Sequence, residues 1–316
     1  PAPRRPEGPA AAMPGPIDRL AAELSAERSC RKAGPVLIEP SATSSEAFRA
    51  VTLECSSHWR TNAALVIEER AMVQLHQMRV GIRRLRSAFS LFRPLWANVP
   101  EADALAHEVR TAAMAFGPCR DLDVLLTGDL TSGLERRQLE VLVAARVAAY
   151  DHAVSVLQSP HWVGLVDALE RVLTGPLWPA SADLPALALA DAALSKRFHR
   201  IVRRGRRLRR LSGAERHEVR IEAKKLRYGC EFFEALYAGE RPVVDTPQGP
   251  LSAPKAFALG VEELQGVLGV LNDHETATAY LATVGAHLEP LAEGPLINEA
   301  ERVHARLAAA IPFWHP

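Results

Sequence analysis

Two stretches of this chain set histidine, arginine and lysine in the same order. One is His76-Gln77-Met78-Arg79-Val80-Gly81-Ile82-Arg83-Arg84-Leu85-Arg86; the other is His217-Glu218-Val219-Arg220-Ile221-Glu222-Ala223-Lys224-Lys225-Leu226-Arg227. Both read His-x-x-Arg-(Val/Ile)-x-x-(Arg/Lys)-(Arg/Lys)-Leu-Arg. On a helix, His76, Arg79, Arg83 and Arg86 share a stripe roughly 80° wide, with Arg84 flanking it. The chemistry of such a stripe is anion binding, because each cation neutralises a negative group and arginine forks onto two oxygens at once. Neighbouring cations on one face repel unless something anionic sits between them. No acid occurs from His76 to Pro100, so the first copy cannot be neutralised within its own segment. In the second copy Tyr228 joins the stripe, either as a hydrogen-bond donor to an anion or as an interfacial tyrosine. A third basic element runs from Lys196 to Arg210 and also holds no acid. Read as one helix, it puts Lys196, Arg200, Arg203, Arg207 and Arg210 on a common face, with Arg197 and Arg204 beside them. Its counterpart near Arg49 is far less basic, so the second half is expected to supply more of the binding.

Helices must carry these side chains. Opposite the first cation stripe, Met78, Ile82, Leu85, Phe89, Phe92 and Trp96 recur at spacings of three and four and form a core face. Val219, Ala223, Leu226, Cys230, Phe233 and Tyr237 repeat the pattern. From Glu46 onward nearly every segment has helical periodicity, and none alternates as a strand does. The proline-rich stretch from Pro242 to Pro254 reads as a loop, and Gly175-Pro176-Leu177-Trp178-Pro179 as a break. The repeat extends to Gly117-Pro118-Cys119-Arg120-Asp121-Leu122-Asp123-Val124 and Gly269-Val270-Leu271-Asn272-Asp273-His274-Glu275-Thr276. Each contains (Arg/Asn)-Asp-x-(Asp/Glu) and is expected to begin a helix. The expected fold is all-α: two helical bundles in pseudo-two-fold relation, an internal duplication. Residues 1–45 are expected to be a mostly flexible arm, with a short amphipathic helix from Ile17 to Arg28. Residues 46–180 and 181–316 are the expected halves.

Composition narrows the function. With 38 Lys and Arg against 37 Asp and Glu, the net charge is +1, so the whole surface is no general polyanion binder; the charge is segregated. Cys30, Cys55, Cys119 and Cys230 are scattered, with neither zinc-type spacing nor a disulfide framework, and read as reduced thiols of a cytoplasmic protein. No apolar run is long enough for a membrane span and no signal peptide is expected. A phosphate-binding Walker loop, a G-x-S-x-G elbow and an HExxH motif are all missing. No enzyme activity, metal or cofactor is expected.

The two basic segments, each followed by an Asp-containing turn, resemble the conserved histidine α-helical domain family, CHAD, over about residues 46–310. The resemblance adds a basic central cleft or pore to the expected fold, and implies binding of inorganic polyphosphate there and an accessory or granule-associated role in the cytoplasm. It carries over to His76, Arg79, Arg83, Arg84, Arg86, His217, Arg220, Lys224, Lys225 and Arg227. No strand-rich segment with alternating Glu-x-Glu, as in the triphosphate-tunnel enzymes often linked to such domains, is present, so this looks like a stand-alone member. His76 and His217 are open to three readings: metal ligand, satisfied structural residue, or phosphate contact. In the last case, binding tightens as pH falls from about 8 to about 6. Asp121, Asp123, Asp273 and Glu275 could act as catalytic or magnesium-binding carboxylates; the simpler expectation is helix capping or pairing with the basic helices. A nucleic-acid-binding protein and a polyphosphate phosphohydrolase are the alternatives. The first is disfavoured because aromatic residues suited to base stacking are scarce among the cations.

Overall fold

The computed structural model describes residues 17, 20, 28–175, 183–238 and 243–315. Most of the Ile17–Arg28 helix and of the break after Gly175 lies outside them. Among the described residues the fold is all-α apart from one small hairpin. The first half contains α1 (Ser44–Glu69), α2 (Met72–Leu91), α3 (Pro100–Ala112), α4 (Gly117–Thr127), α5 (Arg136–Leu157) and α6 (Pro160–Thr174). The second contains α7 (Ala186–Gly205), α8 (Gly213–Phe232), α9 (Ala253–Ala282) and α10 (Glu293–Ala309). Three of these helices, α1, α5 and α8, start on a reciprocal cap. Thr43 accepts from the Glu46 backbone while Glu46 reaches back to the Thr43 N–H, and Ser212 and Glu215 do the same for α8.

Both apolar stripes turn inward. Met78, Ile82, Leu85, Phe89, Phe92 and Trp96 are buried, as are Val219, Ala223, Leu226, Cys230, Phe233 and Tyr237. They belong to one hydrophobic cluster that includes residues from both halves. Phe92 and Phe233, at the same position relative to the two motifs, pack ring to ring at 5.4 Å. Phe48 of α1 packs on Phe89 and Phe92. The chain segments leading into α1 and α7 pair as well: Ser44 N–H donates to the Leu184 carbonyl and Ala186 N–H to that of Ala42.

Four expectations need correction. Residues 28–43 are not a loose arm: Val36 and Ile38 are buried, and Glu54 binds both the Arg31 guanidinium and the Gly34 N–H. Two apolar side chains and a partnered arginine outweigh the Pro- and Gly-rich composition there. Asn272-Asp273 does not begin a helix but lies inside α9, because Leu264, Leu268, Ala277 and Leu281 keep one buried stripe running through it. In the first half Pro118, near the start of α4, does open a helix. The stretch after Pro242 is not all loop: Val244–Thr246 pairs antiparallel with Gly249–Leu251 through a turn in which Gly249 takes a φ of 103°. Finally, α7 stops at Gly205, where a β-carbon would lie 2.2 Å from the His304 ring, so Arg207 and Arg210 do not extend its face.

The helix carrying the first cation stripe is held close by Gly81, whose missing β-carbon would fall 2.8 Å from the Trp59 backbone nitrogen. The clash is with backbone of α1 and cannot be relieved by a rotamer. Gly81→Ala should therefore lower stability by about 1–3 kcal/mol, read as a reduced midpoint in urea denaturation with an unchanged slope.

Candidate functional site: a cationic cleft

Between α2, α3, α7 and α8 lies a cavity of about 660 Å³. Of the residues singled out from sequence, Arg83 and Arg86 of α2, Lys196, Arg197 and Arg200 of α7, and His217, Lys224, Lys225 and Tyr228 of α8 line it. The periodicity that positions the core stripes thus brings both basic copies and part of the third element to one place. Sequence reasoning missed a further wall, formed by Arg93 and by His107 and Arg110 of α3. The signal was present: His107 and Arg110 are three apart on an amphipathic helix whose buried residues are Ala102, Leu105 and Val109.

Arg83 is the electrostatic centre. Among the described residues it makes no ion pair, and its Nε has no hydrogen-bond partner. Its charge bears on Arg79, Arg86 and His76 of its own helix, on Arg120 of α4, and on Arg220 and Lys224 of α8. Burial pushes Lys224 down to about 7, with Arg220 and Arg83 adding repulsion. Burial, then Arg120, Arg83 and Arg79, push His76 down to about 4. That revises the reading of His76 as a cation shared with phosphate: in the free protein it is neutral across the range from pH 8 to 6. Lys224, by contrast, titrates within that range.

Other predicted residues lie off the cavity. Arg84 is buried, pairs with Glu231 of α8 and stacks over Phe232, so it joins the halves rather than facing an anion. Arg79 and Arg220 occupy the same motif position, and each lies against a glycine: Arg79 near Gly117, Arg220 near Gly269 and 3.8 Å from Asp273. Arg227 pairs with Glu231 and covers Tyr228. Arg203, Arg204 and Arg207 are exposed outside the cavity, with Arg204 near Glu218. Tyr228, though it lines the cleft, is buried under Arg84 and Arg227.

Acids divide the cations around the cleft into paired and unpaired ones. Glu222 of α8 takes Arg197, Arg200 and Lys225, and Glu231 takes Arg227 and Arg84. Arg83, Arg86 and Lys224 have no such acid. Lys196 of α7 and Arg110 of α3 also line the cavity without an ion pair among the described residues, so both halves contribute unpaired cations.

The Asp-containing segments are tied into the scaffold. Asp123 is buried, accepts from Arg146 Nε at 2.7 Å and from the Tyr150 hydroxyl at 2.9 Å. Asp121 is raised by burial despite Arg79 nearby, with Asp273 adding to the rise. Among the described residues no group of three or more His, Cys, Asp or Glu is placed to hold a metal ion, and no helix is long and apolar enough to cross a membrane. The four cysteines are free thiols.

Comparison with known proteins places this geometry. The family model of the CHAD domain matches residues 50–282. The crystal structure of the CHAD domain from the plant Ricinus communis superposes with a TM-score of 0.66 at 27% identity, covering 90% of this chain and 91% of that one. The structure of PptA from Streptomyces chartreusis gives a TM-score of 0.55 at 16% identity, over 84% and 94% of the two chains, a likeness of fold alone. No curated protein matches.

The low proton affinity of Lys224 has a signed consequence. Unfolded, the lysine titrates at its ordinary value of 10.5; folded, at about 7. Between those values the unfolded chain binds more protons, so this residue makes stability rise with pH above about 7. Lys224→Met should raise the melting temperature most at pH 6 and progressively less towards pH 9, as followed by thermal denaturation in buffer free of polyvalent anions.

Proposed function

Since the chain belongs to the CHAD domain family, we propose that it binds inorganic polyphosphate in the cleft between α2, α3, α7 and α8 and catalyses no reaction on it. One observation carries this reading: Arg83, Arg86 and Lys224, on facing helices, share a cavity, and none of them has a carboxylate partner among the described residues. A ligand with a charge at every unit neutralises such cations in succession, and arginine adds paired hydrogen bonds to phosphate oxygens. A single carboxylate or a monophosphate would leave most of the repulsion in place.

Nucleic acid fits less well. Stacking of bases needs exposed rings, whereas the aromatic residues along the cavity, Phe89, Trp96 and Tyr228, are all buried. A hydrolase would need carboxylates free to hold magnesium among the phosphates, whereas Asp123 is committed to Arg146 and Tyr150. Recruitment to polyphosphate granules in a cytoplasm is the cellular setting that follows.

Fluorescence anisotropy of labelled long-chain polyphosphate tests the proposal. Affinity should fall steeply with added salt, as counterion release demands. Arg83→Ala should weaken binding by about 10-fold or more, the worth of a charge-assisted contact. Affinity should rise as pH drops from about 8 to about 6.5, and Lys224→Met should flatten that rise. RNA displacing the label at equal phosphate concentration would defeat the ligand assignment. Magnesium-dependent phosphate release, lost in Asp121→Asn or Asp273→Asn, would defeat the non-enzymatic one.

A further inference from the structure

A second cavity of about 420 Å³ adjoins the cationic cleft, and His217 lines both. Its volume lies in the roughly 300–1,000 Å³ range of small-molecule sites. Its chemistry is different. Leu268 and Leu271 of α9, with Leu291, give it apolar surface, while Asn272, Glu275 and Thr278 of α9 bring acceptors and a hydroxyl. Glu275 is exposed and makes no ion pair among the described residues, so a phosphate chain running into this cavity would meet a carboxylate. Apolar walls with acceptors at the edge suit the opposite kind of group: a flat heterocycle with apolar faces and N–H donors on its rim.

His217 marks the boundary between the two environments. Its Nδ1 donates to Asn272 Oδ1 at 2.6 Å, which fixes the ring against the second cavity while the same residue borders the cations of the first. Arg216, one residue earlier, also lines the second cavity; it donates to Glu293 and its Nε is left without a partner in the protein. A molecule bearing a heterocycle at one end and a phosphate chain at the other would match both compartments across His217.

We propose that the site accepts nucleoside polyphosphates, with the phosphates in the cationic cleft and the nucleoside in the second cavity. This rests on the reading of the cleft as a polyphosphate site and names an additional ligand class for it.

The test is calorimetric titration of the full chain with ATP and with inorganic tripolyphosphate at one ionic strength, for the parent protein and two variants of the second cavity. Thr278→Trp fills that cavity from an exposed helical position. It should weaken ATP by about fivefold or more, with tripolyphosphate held within about twofold. Glu275→Ala removes an acceptor and a negative charge. It should weaken ATP while leaving tripolyphosphate equal or tighter, a divergence that a merely electrostatic or structural effect would not produce. Parallel changes for both ligands, or no change for either, would overturn the nucleoside assignment while leaving polyphosphate binding intact. Failure of the parent protein to bind tripolyphosphate and long-chain polyphosphate alike would instead overturn the reading of the cleft, and this proposal with it.

Discussion

Repulsion among cations that no acid separates is the constraint the fold has to withstand. Arg83 sits where it is worst, in reach of Arg79, Arg86 and Arg120 from its own half and of Arg220 and Lys224 from the other. Isolated charges moved out of water either lose their charge or find a partner. Arginine cannot readily lose its proton, so the lysine yields, and Lys224 is driven to about 7. The repulsion is thus partly relieved by proton release and partly carried by the scaffold.

The scaffold opposes it with apolar packing set directly behind the cations. The apolar face of α2 delivers Phe89, and Phe92 just past its end meets Phe233 from the other half. One ion pair then crosses between the halves, Arg84 with Glu231, and Arg197, paired with Glu222 inside the second half, crosses by donating to the Ser90 carbonyl and hydroxyl. Such pairs add little net stability by themselves when buried, but removing one partner is costly, which favours a single registration of the two helices. Here that registration is what brings Arg83 and Lys224 into the same cavity.

Much of this was legible in the sequence, for a physical reason. A helix that is cationic on one side and apolar on the other can only point one way, so the wheel positions of Met78 through Trp96 and of Val219 through Tyr237 predicted their burial correctly. What the wheel cannot show is which cation meets which acid across the fold. Arg84 was read as flanking the stripe that holds Arg83 and as part of the same binding set, yet a rotation of about 100° carries it onto Glu231 and Phe232. The acids of the second motif were visible as letters, but their targets on α7 were not, so which cations of the second wall stay free was not legible. Likewise Asn272-Asp273 resembled the helix-opening Arg120-Asp121 locally; only the unbroken stripe from Leu264 to Leu281 decides that the helix continues.

The unpaired cations also link affinity to stability. Whatever free energy holds Arg83, Arg86 and Lys224 near one another in the free protein is released when an anion enters, because each new phosphate removes repulsion as well as adding attraction. A ligand that binds only the folded state stabilises it by mass action, and here part of that gain is the cancellation of a built-in cost. Pairing the same cations with acids would make the free protein more stable and would screen them from the ligand, as Glu222 already does for Lys225 and Arg197. The absence of acids from His76 to Pro100 is therefore better understood as a requirement of the cleft than as a chance of composition. On this argument, placing a glutamate on α2 beside Arg83 would trade ligand affinity for stability in the free state, whereas an added glutamate on the exposed end of α7, outside the cavity, would do neither to the same degree.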